Sequence, residues 1–198
     1  KAIALGDSYS AGVGLGVVRS GCDRDKEAWA PRGITSLATL FSPFTLHSAC
    51  SGATTTEIAA NQIPGITSDF NVAAITAGGN DIGFGKKLKG CTAGDCGPDV
   101  YSLKADVRGG SLTWDGLFVR LVNTYVQTRI RMARGGHLFV ASYPIPFARQ
   151  RALTCSSQSP NEQNAVNALV TRLGDTIYWA VDRANKDLAA RGYPGNVH

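Results

Sequence analysis

At 198 residues and 20.8 kDa, with 43% hydrophobic and 18% charged residues, the chain has the balance of one globular domain around one core, burying roughly 70% of the surface its unfolded form exposes. That balance excludes a disordered chain and a coiled coil, and no run reaches the ~18 apolar residues that a bilayer crossing needs. The net charge of +5 is spread along the chain without forming a block, so it reads as solubility and gives no reason to expect a nucleic-acid partner.

The chain opens on Lys1 and enters an apolar run at once, with no basic start and apolar stretch of the export-signal kind; its natural beginning is expected to have been removed. Ala2-Ile3-Ala4-Leu5, ended by Gly6, predicts a strand buried on both faces that breaks abruptly into a loop. Gly12-Val13-Gly14-Leu15-Gly16 matches neither nucleotide-binding glycine fingerprint and reads as a flexible loop. Further strands are predicted at Phe44 to Ala49, Val72 to Ala77 and His137 to Ala141. Residues 86–113, dense in Gly and polar side chains, read as a long insertion over the site.

Apolar residues at helical spacing predict a helix from Leu117 to Met132, stopped by Gly135-Gly136, with Arg129, Arg131 and Arg134 on a solvated face. A longer one runs from Asn161 to Ala190 along a stripe through Val166, Leu169, Val170, Leu173 and Ile177. Ser159 is its expected N-cap, Pro160 its first residue, and Gly192 and Pro194 its end. Trp29, Trp114 and Trp179 read as packing residues. Strands alternating with helices predict an α/β domain: an open, mostly parallel sheet covered on both faces, with ligands bound beyond the carboxyl ends of the strands. The loops after Leu5, Ala49, Ala77 and Ala141 then surround one crevice, in a single domain over residues 1–198.

Five cysteines without a paired zinc spacing point to disulfides and an oxidising compartment. Cys91 and Cys96 flank a short polar loop that a bridge could close, and Cys22 and Cys50 lie beside segments expected to meet at one end of the sheet. Cys155 is left without a mate. Few histidines and no clustered carboxylates give no metal site, and no cofactor is expected.

Three of the four strand-end loops carry distinctive text: Gly6-Asp7-Ser8-Tyr9-Ser10, Ser51-Gly52-Ala53 and Gly78-Gly79-Asn80-Asp81. A hydroxyl at a strand tip can attack a carbonyl if a base takes its proton, and the oxyanion that forms needs donors already aimed at it. Gly52 permits close approach of a backbone N–H, and the Asn80 carboxamide offers a side-chain donor. Each also has a purely structural reading: Ser8 as a helix cap, Gly52 as a turn, Asn80 as the closure of an Asx-turn.

Gly6-Asp7-Ser8, Gly52 and Gly78-x-Asn80-Asp81 resemble, in that order, the first three sequence blocks of the SGNH/GDSL hydrolases. The resemblance is to the secreted actinobacterial and fungal esterase-lipase type. It extends to Gln62-Ile63, the Cys22/Cys50 and Cys91/Cys96 pattern and the last long helix, and so spans nearly the whole chain. It implies a three-layer α/β/α sandwich with a flavodoxin-like sheet, and a secreted carboxylic-ester hydrolase working through an acyl-serine. Ser8 is the implied nucleophile. The Ser8 and Gly52 amides and the Asn80 side chain are the implied oxyanion hole, and Asp7 and Asp81 organise loops. Lipid, phospholipid, plant-polymer or acylated-sugar esters are the implied substrates. An acyltransferase using the same site, or a non-catalytic binding protein of the same fold, are the alternatives.

The chain departs from the family at its fourth block, an Asp-x-x-His or related motif, which is not found. His47 and His137 fall in predicted strands and read as structural. Gly195-Asn196-Val197-His198 resembles the entry to a final strand before the His block, with His198 a weak candidate for the base. In secreted relatives a cysteine soon after that His pairs with one placed like Cys155. The expectation is therefore a C-terminal truncation that removes both the base and the partner of Cys155.

Overall fold

The computed structural model describes residues 1–16, 21–38, 45–85, 112–147 and 159–198. Within them the four predicted strands form one sheet: β1 (Ala2–Gly6), β2 (Thr45–His47), β3 (Val72–Thr76) and β4 (His137–Val140). The order is β2-β1-β3-β4 and every neighbouring pair is parallel. Beyond β4, Val197 pairs in parallel with Leu138, so Asn196 to His198 enter the sheet next to β4 as expected.

The two central strands, β1 and β3, are buried along their whole length, as continuous apolar runs require when both faces are covered. Alternate residues point to opposite faces. On one face Ile3, Leu5, Ala73, Ile75 and Leu138 join the large core formed with two long helices. On the other, Ala2, Ala4, Val72 and Ala74 pack against Ala30 and Ile34. Small side chains on that face let a helix sit close to the sheet. The result is a three-layer α/β/α arrangement.

The α-helices among the described residues are α1 (Ser8–Ala11), α2 (Trp29–Ala38), α3 (Thr55–Glu57), α4 (Trp114–Arg131) and α5 (Pro160–Ala190). Both predicted long helices are present. Ser159 accepts from the Glu162 amide and Glu162 returns a bond to the Ser159 amide, a reciprocal cap that fixes where α5 begins. Helix α2 was not predicted: Pro31 and Gly33 argue against it locally, yet Pro31 lies in the first turn, where no helical N–H is lost. Helix α3 runs on into a π-helical turn, Ile58–Gln62, and a 3-10 turn, Ile63–Gly65.

Three expectations need correction. Arg129 is not solvated but buried, because its guanidinium reaches forward to the segment that leaves α4, donating to the carbonyls of Ala133 (2.9 Å) and Arg134. Trp179 is 59% exposed, edge-on to the likewise exposed Tyr178, and does not pack in the core. Trp29 is also exposed and belongs to the site described below, whereas Trp114 is half-buried with the Arg172 guanidinium 4.6 Å above its ring. Cys22 and Cys50 are joined by a disulfide. Cys91, Cys96, Cys155 and all but the last two residues of the 86–113 insertion lie outside the described residues.

Candidate active site

The site begins where β1 leaves the sheet. Gly6 has φ +116°, and a Cβ there would lie 2.3 Å from the Thr76 carbonyl oxygen, so no residue with a side chain can make this turn beside β3. Asp7 follows and caps α1, its carboxylate accepting from the Tyr9 amide at 3.1 Å. Ser8 is therefore the first helical residue and not the cap. It is half-buried and lines a pocket of about 510 Å³ with Tyr9, Gly12, Val13, Leu15, Glu27 and Trp29.

Beneath Ser8 the interior is polar and extensively hydrogen-bonded. Thr76 donates its hydroxyl to Asp7 Oδ1 at 2.8 Å, so the Ser10 hydroxyl, 2.8 Å from Thr76 Oγ1, is the donor in that pair. The Thr76 amide in turn donates to Ser10 Oγ at 3.0 Å. Tyr143 donates to Asp7 Oδ2 and accepts from the Gly79 amide at 3.0 Å, which ties the Ser8 turn to the Gly78-to-Asp81 turn. Burial pushes the Asp7 carboxyl above the usual carboxylate range, against the bonds from Tyr143, Thr76 and Tyr9 that favour its charge. Burial, then the nearby Asp7 charge, raises the Tyr143 hydroxyl well above its ordinary value.

The other two loops join the same end of the sheet. The Cys50 amide donates to the Gly6 carbonyl at 2.9 Å, and Gln62, carried by the π-helical turn, pairs with both the amide (2.8 Å) and the carbonyl (2.9 Å) of Gly6. Gly52 is exposed with φ +81°, in a conformation that disfavours other residues. The Asn80 side chain closes no Asx-turn: its Nδ2 donates to the Ala53 carbonyl at 3.0 Å, across to the Gly52 loop. Asp81, buried, accepts from the Thr55 amide (2.9 Å) and hydroxyl (2.5 Å), with Arg120 3.8 Å away, and burial raises its carboxyl. Asp7 and Asp81 thus hold loops together, as expected. The Gly52 and Asn80 loops are bonded directly through Asn80 and Ala53, and the Ser8 turn is tied to them through Cys50 and Tyr143.

The three histidines are elsewhere. His47 is half-buried, its Nε2 3.1 Å from the Ser10 carbonyl, and burial lowers its basicity. His137 Nδ1 and His198 Nε2 are 2.9 Å apart, with both rings stacked near Phe139. The sheet register sets His198 level with Phe139 and so with Ala4, several residues below Ser8 and several strands across. That is a separation on the order of 20 Å. His198 is not placed to act on Ser8.

Sequence reasoning missed Tyr143, a lone aromatic in the fourth strand-end loop with no spacing to mark it. It also missed the pocket walls, since Val13 and Leu15 lie in the loop read only as flexible and Trp29 was read as packing. The Thr54–Glu57 capping box was legible as Thr-x-x-Glu and would have found the helical run that carries Gln62.

A model of the GDSL-like lipase/acylhydrolase family matches residues 4–194. Lipase 1 of Streptomyces coelicolor is 30% identical over 189 residues, covering 88% of this chain and 63% of that protein. A lipase of Streptomyces rimosus is 38% identical over 92 residues, 45% of this chain and 33% of that one. The chain spans less than two thirds of either curated relative. Among solved structures, phospholipase A1 from Streptomyces albidoflavus NA297 superposes with TM-score 0.73 at 28% identity, over 98% of this chain and 77% of that one. The extracellular lipase from Streptomyces rimosus shares the fold at TM-score 0.62 and 24% identity, with the same coverage.

Proposed function

This chain belongs to the GDSL-like lipase/acylhydrolase family, and on that premise we propose that it hydrolyses carboxylic esters with Ser8 as nucleophile. Ser8 Oγ forms a bond to the ester carbonyl carbon while its proton passes to a base, and the carbonyl oxygen becomes an oxyanion. The Ser8 and Gly52 amides and the Asn80 carboxamide are the donors that receive it. Collapse breaks the ester C–O bond, the alcohol leaves with a proton, and water cleaves the acyl-serine by the same steps in reverse.

The observation that carries this reading is a set of unspent donors. Among the described residues, neither the Ser8 nor the Gly52 amide donates to a protein acceptor. Asn80 uses one Nδ2 hydrogen on Ala53, which fixes the amide plane and leaves the second hydrogen for a ligand. Asp7 takes over the capping of α1, so the Ser8 hydroxyl is not consumed. The proton acceptor is a group other than the three imidazoles, each of which is engaged away from Ser8. The Cys22–Cys50 disulfide supports a secreted protein working in an oxidising compartment.

A fluorophosphonate probe is expected to label Ser8, located by peptide mass spectrometry, and Ser8→Ala to lose both labelling and hydrolysis of short aryl esters. Undiminished hydrolysis by that variant would overturn the proposal.

A further inference from the structure

His137 and His198 are 61 positions apart in the sequence, too far to show a ligand spacing there, and the sheet brings them together. His137 opens β4, its amide donating to the Asn71 carbonyl at 2.8 Å. His198 is held beside that strand from both sides of its backbone: its amide donates to the Leu138 carbonyl at 2.9 Å and its carbonyl accepts from the Val140 amide at 2.8 Å. Alternate residues point to opposite faces, so Leu138 and Val197 enter the core while His137, Phe139 and His198 share the other face. Both imidazoles are exposed there, open to an ion from solvent.

We propose that this pair chelates a divalent transition-metal ion of tetragonal preference, copper(II) ahead of nickel(II), and that the ion staples the segment after α5 onto β4. The site is independent of the hydrolase reading, since it lies on the order of 20 Å from Ser8.

The spacing selects the metal. His137 Nδ1 and His198 Nε2 are 2.9 Å apart. Two imidazole nitrogens about 2.0–2.1 Å from one ion are separated by about 2.9 Å when they meet at the right angle of a tetragonal centre, and by about 3.3 Å when they meet at a tetrahedral one. The pair therefore fits adjacent corners of a copper(II) or nickel(II) square better than a zinc centre. The rings are within 16° of parallel, and Phe139 stacks against both, which restricts their rotation. As a hydrogen-bonded pair, one nitrogen carries the proton and the other presents its lone pair to it. Coordination moves that proton through water to the outer nitrogen of its own ring, so each imidazole stays neutral and both inner lone pairs reach the ion. Burial first, then the His198 and Arg129 charges, lower the basicity of His137, which favours the neutral form that a ligand needs. Among the described residues no group of three or more His, Cys, Asp or Glu is assembled, so the protein supplies two ligands here and water fills the remaining positions.

The test is a titration of the full chain with copper(II) chloride near neutral pH, followed by electron paramagnetic resonance and by thermal unfolding. The first equivalent should give a tetragonal spectrum with hyperfine coupling to two nitrogens, and affinity should fall from copper(II) to nickel(II) to zinc. His137→Gln should weaken copper binding at least about tenfold, whereas His47→Gln, at the third imidazole, should leave it unchanged. Copper should also raise the melting temperature of the unaltered protein and not that of His137→Gln, because the ion binds the assembled pair more tightly than the scattered histidines of the unfolded chain. A spectrum without two-nitrogen coupling, or binding that survives His137→Gln, would refute the site, and binding without a rise in melting temperature would refute the staple. The spectrum and melting curve of the unaltered protein stand without any variant, so a substitution that fails to fold does not spoil the test.

Discussion

The interior under Ser8 and the interior between the sheet and helices α4 and α5 are built on the same two strands, yet they hold the chain by opposite means. Between sheet and helices, Ile3, Leu5, Ile75 and Leu138 meet Leu117, Leu121, Leu169 and Leu173 through apolar contact, which has no direction and accepts many residues of similar volume. Under Ser8, Asp7, Ser10, Thr76 and Tyr143 meet through hydrogen bonds, which fix both distance and angle. The first layer supplies stability. The second places a hydroxyl.

Deleting volume from the apolar layer should have the largest effect on stability. Leu138→Ala, at a fully buried position of β4, is expected to lose about 2–5 kcal/mol in urea unfolding, with kcat in the folded protein nearly unchanged. A large kcat loss without a stability loss would erase the contrast between the layers. Tyr143→Phe should reverse the balance. It leaves the Gly79 amide and one Asp7 oxygen buried without their partner, costing about 1–3 kcal/mol. It should also lower kcat about tenfold at constant KM, because the two turns it links lose their register.

The smallest effect is one of pH. Burial raises the folded-state pKa of Asp7 above its unfolded value of 3.8, so the folded protein holds that proton more tightly. The associated stability is fully present below 3.8 and is lost as pH rises through the folded value. Asp7→Asn cannot ionise and escapes that loss. The stability of the variant relative to the unaltered protein should therefore improve as pH is raised from about 4 to about 7, as read from unfolding curves. A difference that is flat with pH would show that burial does not raise the Asp7 carboxyl.

The apolar layer was the more legible of the two in the sequence. Strands β1 and β3 are continuous apolar runs and α5 is a long stripe at helical spacing, so periodicity alone located them. Helix α2 escaped because Pro31 and Gly33 oppose it locally and only Ala30 and Ile34, docked on the small residues of β1 and β3, reward it. In the polar layer, Ser8, Gly52 and Asn80 were marked by glycines and by resemblance, whereas Tyr143 reaches Asp7 across 136 positions without any local pattern. Long-range polar contacts leave no periodicity to read. The site was therefore legible in its tips and not in its foundations.

Residues 22–29 line both the Ser8 pocket, through Glu27 and Trp29, and a second cavity of about 310 Å³ beside Gly52, through Cys22 and Arg24, while the Cys22–Cys50 disulfide and the Asp25 amide bond to the Ala11 carbonyl anchor them at two places. One rigid partition cannot be shifted for the benefit of a single compartment. An engineer who enlarges the Trp29 side will also displace Arg24 on the other, so the two cavities cannot be reshaped independently. Recombining natural variants of this whole octapeptide offers a more productive search than substituting its members singly.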